Sequence, residues 1–463
     1  MLLTVILSSF SINTVNGAGY PYGVSSAAEN QSAAEQLLAS EWQSWKDTYV
    51  TSSGAGGFKR VQRDPATNFD TVSEGMGYGL ILAVSFNEQQ LFNDLFGYVK
   101  KYYNSNGLMG WHIDASGNIV GTGGKDAATD ADEDIALALV FAHKKWGSSG
   151  AVDYENEAKT LINNIFNHMV ERGTYVLKPG DTWGGSNITN PSYFSPAWYR
   201  VFAEFTGNQE WIKVADKCYD IVNNIKKYNN NTGLVPDWCT ADGTPASGMG
   251  YDFYYDAIRY GWRTAIDYSW YGTSQAKENC DAITNFFKKA GVSQIKDGYT
   301  ITGNTTGQWH TATFTSCAAA GAMTSDLSTA IEFYNECVKV KDSGSYHYFG
   351  NSLRMMILLY ITGNFQNLMS GTSPTSTPTT TPTPTPTSTS SYNFKYGDVD
   401  GSGQVDSTDL TILKRFILHK LNSFPYDKGH LAADVNADNS IDSTDVTLMK
   451  RYILRKINKF PAE

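Results

Sequence analysis

Three carboxylates stand in company that suits acid–base chemistry. Glu74 lies in SEGMGYGLIL (Ser73–Leu82), Asp130 in ATDADEDIALALVFAHKKW (Ala128–Trp146) and Asp256 in YDFYYDAIRYGWR (Tyr251–Arg263). Carboxyl pairs do general acid and general base work when their surroundings push their pKa values apart. Ser73 can cap a helix that Glu74 opens, and a helix N-terminus alone would lower the Glu74 pKa. A general acid needs the opposite, so burial and a neighbouring carboxylate must outweigh the dipole, and Asp130 is the candidate neighbour. Thr129 or Asp130 can cap the second helix. Its continuation, Ile135–Ala142, is apolar around most of its circumference, which predicts a buried helix with an acidic end aimed into the protein or a cleft. Asp256 and Arg259, spaced i and i+3, fall on one helix face, and Tyr254, Tyr255, Tyr260 and Trp262 argue against a merely solvated ion pair. Gly75, Gly77 and Gly79 weaken a helix but let something approach its backbone closely.

A different chemistry is written near the C-terminus. DSTDLTILKRFILHKLNSFP (Asp406–Pro425) returns as DSTDVTLMKRYILRKINKFP (Asp442–Pro461), each following an acidic loop, DVDGSGQVDSTD from Asp398 and DVNADNSIDSTD from Asp434. Calcium takes hard oxygens from loop positions 1, 3, 5, 7, 9 and 12. Those positions are Asp398, Asp400, Ser402, Gln404 (through its carbonyl), Asp406 and Asp409, then Asp434, Asn436, Asp438, Ser440 (carbonyl), Asp442 and Asp445. Gly403 and Asn439 supply the sharp turn at position 6. No helix precedes either loop. An amphipathic helix follows each: Leu410, Leu413, Phe416 and Ile417, then Val446, Met449, Tyr452 and Ile453. Clustered carboxylates repel one another in empty loops, so this module is expected to fold on two calcium ions.

The elements that must position the three carboxylates read as helices. Helical spacing of apolar residues marks Ala33–Thr48, Ile135–Trp146, Lys159–Val170, Trp211–Lys227, Ser274–Lys289, Ala330–Val338 and Asn351–Thr362. About a dozen such segments occur, with no run of alternating strands, and long loops rich in Gly, Tyr and Asn lie between them. The fold class is all-α, and a dozen helices fit an (α/α)6 barrel whose long loops gather at one end around a groove. Thr372–Ser390 is almost entirely Thr, Pro and Ser, an extended semi-rigid spacer. The expected domains are a signal peptide over 1–18, a catalytic domain over 19–370, a linker over 371–392 and the calcium module over 393–463. The leader rests on apolar Leu2–Phe10 and the small residues Gly17 and Ala18, although no Lys or Arg precedes the apolar run.

Composition narrows the partners. The net charge of the 463-residue chain is -10, which disfavours nucleic acid but not a neutral polymer. Aromatics at 13% leave rings for a binding surface after the core is filled. Cys218, Cys239, Cys280, Cys317 and Cys337 are odd in number with no CxxC pair, so they read as buried free thiols. No apolar run is long enough to span a bilayer.

The motif ATDADEDIALALVFAHKKW, with SEGMGYG, NPSYFSPAW from Asn190 and YDFYYDAIR, resembles glycoside hydrolase family 8 over Gly19 to about Leu368. That resemblance implies an (α/α)6 barrel that hydrolyses with inversion. It implies that Glu74 is the proton donor, that Asp256 is the general base, and that Asp130 holds the sugar at the cleavage point and supports its distortion. Some descriptions of the family give the Asp130 position as nucleophile, which an inverting mechanism does not need. Tyr193 and Arg259 match positions that orient the water and the base. Sugar rings stack on aromatic faces, and Trp111 and Trp183 are favoured over Trp198 for the groove; His112 reads as a structural hydrogen-bonder. The implied activity is that of a secreted endo-1,4-β-glucanase acting on cellulose or mixed-linkage β-glucan. The alternatives are a chitosanase or xylanase of the same family, or a non-catalytic carbohydrate-binding component. Catalysis needs no cofactor, and the catalytic domain reads as a monomer. The Tyr396–Phe460 segment resembles the type I dockerins, which implies calcium and docking to a cohesin module of a scaffoldin in a cellulosome. Ser407, Thr408, Lys414 and Arg415 match the cohesin-recognition positions of one copy, and Ser443, Thr444, Lys450 and Arg451 those of the other, giving two docking orientations.

Overall fold

A computed structural model describes residues 19–369 and, within 395–460, all but 418–420, 422–423, 427, 437–440, 454–456 and 458. The expected leader (1–18) and linker (371–392), the proposed ligands Asp438 and Ser440, and the side chains of Ser407, Ser443 and Thr444 lie outside the described residues. The chain divides into two units, 1–376 and 377–463.

Helices that are apolar all round must be buried, and helices with one apolar stripe cover them. Among the described residues the first unit holds twelve α-helices: α1 (Gln31–Tyr49), α2 (Ser73–Ser85), α3 (Gln89–Lys101), α4 (Thr129–Trp146), α5 (Tyr154–Met169), α6 (Pro196–Thr206), α7 (Glu210–Ile225), α8 (Arg259–Tyr271), α9 (Ser274–Ala290), α10 (Ala312–Ala322), α11 (Leu327–Lys339) and α12 (Tyr348–Ile361). All of α10 is buried, whereas α1 buries only Ala34, Leu38, Trp42, Trp45 and Tyr49. The even-numbered helices form an inner ring in the order α2, α4, α6, α8, α10, α12, and α12 closes on α2. Each odd-numbered helix packs outside, α3 on α2, α5 on α4, α7 on α6, α9 on α8, α11 on α10 and α1 on α12. This is the (α/α)6 barrel. All five cysteines are buried and free.

Three antiparallel pairs brace the loops: β1 (Val50–Thr51) with β2 (Arg60–Val61), β3 (Thr71–Val72) with β4 (His112–Ile113), and β5 (Asp252–Phe253) with β6 (Tyr299–Thr300). They correct the expected helix caps. Val72 and Ala128, not Ser73, Thr129 or Asp130, occupy the cap positions, and neither makes a side-chain cap bond. Val72 is held extended by pairing with His112, and Ala128 by bridging Gly180, so each helix begins where the pairing stops. A second correction concerns Asp256. It lies in the turn over Tyr255–Ile258, and α8 begins only at Arg259, so the two do not share a helix face.

The second unit contains α13 (Ser407–Ile417), α14 (Gly429–Ala433) and α15 (Ser443–Ile453). α14 was not foreseen, and because it ends at the residue before Asp434 it corrects the expectation that no helix precedes the second loop. The expected stripes converge, with Leu413 and Met449 fully buried in a core with Val399, Ala432, Ala433 and Val435. The sequence repeat is also a repeat of contacts. Phe416 stacks on Phe424 at 4.3 Å, and Tyr452 on Phe460 at 4.4 Å.

Candidate active site

The inner helices run in one direction, so their N-termini meet at one end of the barrel. Arg259, the first residue of α8, gathers the groups presented there. Its Nη1 donates to Glu74 Oε2 at 2.9 Å and to Asp130 Oδ2 at 2.6 Å; its Nη2 donates to Asp256 Oδ1 at 2.8 Å and to Ser192 Oγ at 3.0 Å. Its guanidinium lies over the Tyr193 ring at 5.4 Å and the Phe349 ring at 5.7 Å. Burial opposes its charge, but Asp130, Glu74 and Asp256 outweigh it and keep Arg259 protonated. Glu74 opens α2, and Tyr348, the first residue of α12, donates its hydroxyl to Glu74 Oε1 at 3.4 Å. Asp130 is almost fully buried, whereas the Asp256 side chain is 33% exposed and reaches solvent.

Burial is the largest influence on Glu74. With the charges of Asp130 and Asp256 it outweighs Arg259 and pushes the carboxyl up to about 7. The Tyr193 phenol is held well above its ordinary range, first by burial and then by Asp130 and Asp256, so it remains a proton-bearing donor. α2 comes close to its neighbours where Gly75, Gly77 and Gly79 lack Cβ atoms. A Cβ on Gly75 would lie 2.4 Å from the Tyr348 hydroxyl, and one on Gly77 would lie 2.9 Å from the Cβ of Asp134.

A buried layer supports this end. Arg263 grips Asp134 through both amino nitrogens at 2.8 and 2.9 Å, Trp198 Nε1 donates to Asp134 Oδ1 at 2.7 Å, and Ser195 and Tyr199 donate to Glu133 at 2.6 and 2.8 Å. These bonds hold α4, α6 and α8 together one turn below the site. Trp198 is therefore core. Trp111 and Trp183 are exposed at the site end, at 39% and 41%. Trp111 stacks on His112 at 4.7 Å, and His112 Nε2 is fixed by Asp70 at 2.7 Å, which makes the histidine structural.

Several contributors were not singled out by sequence. Trp238 lies tilted against Trp183 at 5.5 Å and edge-on to Tyr193 at 6.3 Å. Asp237 Oδ1 accepts the backbone N–H groups of Tyr254 at 3.1 Å and Ala257 at 2.8 Å, bracketing Asp256. Ser192 had a signal in its motif beside Tyr193; Tyr348 had none, since it is brought to Glu74 only by ring closure.

In the second unit Asp398, Asp400 and Asp409 each offer an oxygen, and these oxygens all lie within 4.8 Å of one another. Asp409 also accepts the N–H groups of Val399 and Asp406, both at 2.9 Å. Asp445 accepts those of Val435 at 3.0 Å and Asp442 at 2.9 Å, so both loops are folded by their twelfth residue in the same way. Thr408, Lys414, Arg415, Lys450 and Arg451 are exposed.

Known families fit this geometry. The description Glycosyl hydrolases family 8 matches residues 12–363. The chain belongs to glycosyl hydrolase family 8. This family 8 hydrolase also carries a match to the type I dockerin domain over residues 396–454. It is 61% identical over 427 residues to Endoglucanase 2 of Ruminiclostridium josui, covering 91% of this chain and 89% of that protein. It is 58% identical over 430 residues to Endoglucanase A of Acetivibrio thermocellus, covering 91% of this chain and 89% of that protein. Among solved structures, the β-1,3-1,4-glucanase of Paenibacillus sp. X4 superposes with a TM-score of 0.69 at 31% identity, over 75% of this chain and 96% of that one.

Proposed function

We propose that this family 8 hydrolase is a secreted endo-1,4-β-glucanase that cleaves internal bonds of cellulose or mixed-linkage β-glucan with inversion, anchored to a cellulosome by its dockerin. The observation that carries the reading is the gathering of Glu74, Asp130 and Asp256 on one guanidinium at the loop-rich end of the barrel. Glu74, held neutral by burial, protonates the departing glycosidic oxygen. Asp256, open to solvent, takes a proton from the water that attacks the opposite face of the ring. Tyr193 orients that water with its phenol. Asp130, tied to Arg259, holds the sugar at the cleavage point and supports its distortion, and no covalent intermediate forms. Because Arg259 Nη1 binds Glu74 Oε2 and its Nη2 binds Asp256 Oδ1, these two oxygens are at most about 8 Å apart, a ceiling compatible with the roughly 6.5–9.5 Å of an inverting pair. Trp111 and Trp183 supply sugar platforms, and the catalytic unit works as a monomer.

The proposed organisation is a leader over 1–18, the catalytic domain over 19–370, a linker over 371–392 and the dockerin over 393–463. The clustering of Asp398, Asp400 and Asp409 fits a divalent cation, and the repeat extends the proposal to the loop of Asp434, Asn436, Asp442 and Asp445. Calcium, when bound, neutralises these carboxylates and ties each loop to its helix. The exposed Thr408, Lys414, Arg415, Lys450 and Arg451 suit a cohesin partner.

Glu74→Gln tests the catalytic assignment: turnover should fall at least about a hundredfold. Unchanged sugar release would remove Glu74 from the mechanism. Proton NMR of cellopentaose hydrolysis should show the α-anomer first, and a β-anomer would refute inversion.

A further inference from the structure

The ring order gives the active-site end a direction. Glu74 arrives with α2 and Asp256 just ahead of α8, and these helices stand opposite each other in the inner ring. A polymer passing between them runs from the loops leading into α4 and α6 to the loops leading into α10 and α12. Trp111 and Trp183 occupy the first side. The loop leading into α10 carries Trp309, 68% exposed, and the loop leading into α12 carries Tyr346, 76% exposed. Among the described residues these are the two most exposed large apolar side chains, and neither serves the site described above. Both rings are carried by loops leading into adjacent inner helices, on the side of the ring away from Trp111 and Trp183.

The Trp309 backbone is fixed. The N–H groups of Gln308 and Trp309 both donate to Asp297 Oδ1 at 2.8 Å, and Asp297 Oδ2 accepts the hydroxyl of Tyr255 at 2.8 Å. Tyr255 is the chain neighbour of Asp256, so one carboxylate ties the tryptophan to the turn that carries the candidate base. The next residue, His310, is held between the Ile295 carbonyl at 2.7 Å and Glu336 at 2.9 Å. A solvent-facing indole on a fixed backbone meets the apolar C–H face of a neutral sugar ring with only its side chain left to order.

We propose that Trp309, assisted by Tyr346, forms a distal sugar-stacking subsite at the end of the groove opposite Trp111 and Trp183, taking glucosyl units beyond those at the cleavage point. The proposal rests on the glucanase reading above. The test is calorimetric titration of cellotriose and cellohexaose into Glu74→Gln protein, with and without Trp309→Ala. Loss of the indole should weaken cellohexaose binding by about threefold to tenfold while leaving cellotriose, which fits within the central positions, unaffected. Trp309→Phe should recover most of the loss, and Tyr346→Ala should show a smaller loss of the same kind. Equal cellohexaose affinity with and without the indole overturns the distal subsite while the glucanase reading stands. Failure of Glu74→Gln protein to bind either oligosaccharide overturns both.

Discussion

At Glu74 opposing influences meet. The N-terminus of α2 and Arg259 favour the carboxylate, while burial and the charges of Asp130 and Asp256 favour the acid. The acid prevails up to about pH 7. Activity should therefore fall as pH rises through about 7, read as the alkaline limb of kcat/KM. A limb in the ordinary carboxylate range would contradict the environment described. Stability carries the same sign. The native pKa lies above the ordinary 4.5, so the stabilisation of the buried neutral acid is complete below 4.5 and is lost as pH rises through about 7. Glu74→Gln should accordingly raise the melting temperature at pH 8 and leave it unchanged at pH 4, measured by scanning calorimetry. The types and contexts of Glu74, Asp130, Asp256, Arg259 and Tyr193 could be read along the chain because each sits in an unusual local pattern. Tyr348 could not, since its partner Glu74 lies 274 residues away and nothing near it in sequence marks the encounter.

The elements were legible in proportion to their period. Long helices announce themselves through apolar spacing, and Ser274–Ala290 lies within one residue of its expected span. Two-residue strands have no period, so the pairings that displace the expected caps of α2 and α4 left no trace in the sequence. The turn before α8 was missed for a related reason. YDFYYDAIR reads as helix, but Asp237, far back in the chain, takes the N–H groups of Tyr254 and Ala257 and holds the segment as a turn. Asp237→Ala strands two partly buried donors and frees the Asp256 backbone, so kcat should drop roughly tenfold with KM little changed. Asp237→Asn keeps the accepting oxygen and should retain most of the activity; equal losses in the two variants would rule out positioning through these bonds.

For the molecule as a whole, the two units should respond differently to metal removal. Adding a calcium chelator to the full chain should lower the thermal transition of the dockerin and abolish cohesin binding, because Asp398, Asp400 and Asp409 converge within 4.8 Å. Sugar release by the barrel should survive the same treatment, and parallel loss of both would contradict the assignment of calcium to the C-terminal loops. The barrel's own seam has a further consequence. The Tyr20 hydroxyl donates to the Tyr360 carbonyl at 2.7 Å and accepts the Phe365 N–H at 3.2 Å, and the Ala27 N–H donates to the Ile361 carbonyl at 2.8 Å. The first and last described segments of this unit thus meet at the C-terminal tip of α12, about 20 Å from the tip that meets Glu74. Loosening that seam should therefore open the barrel from the end remote from the three carboxylates.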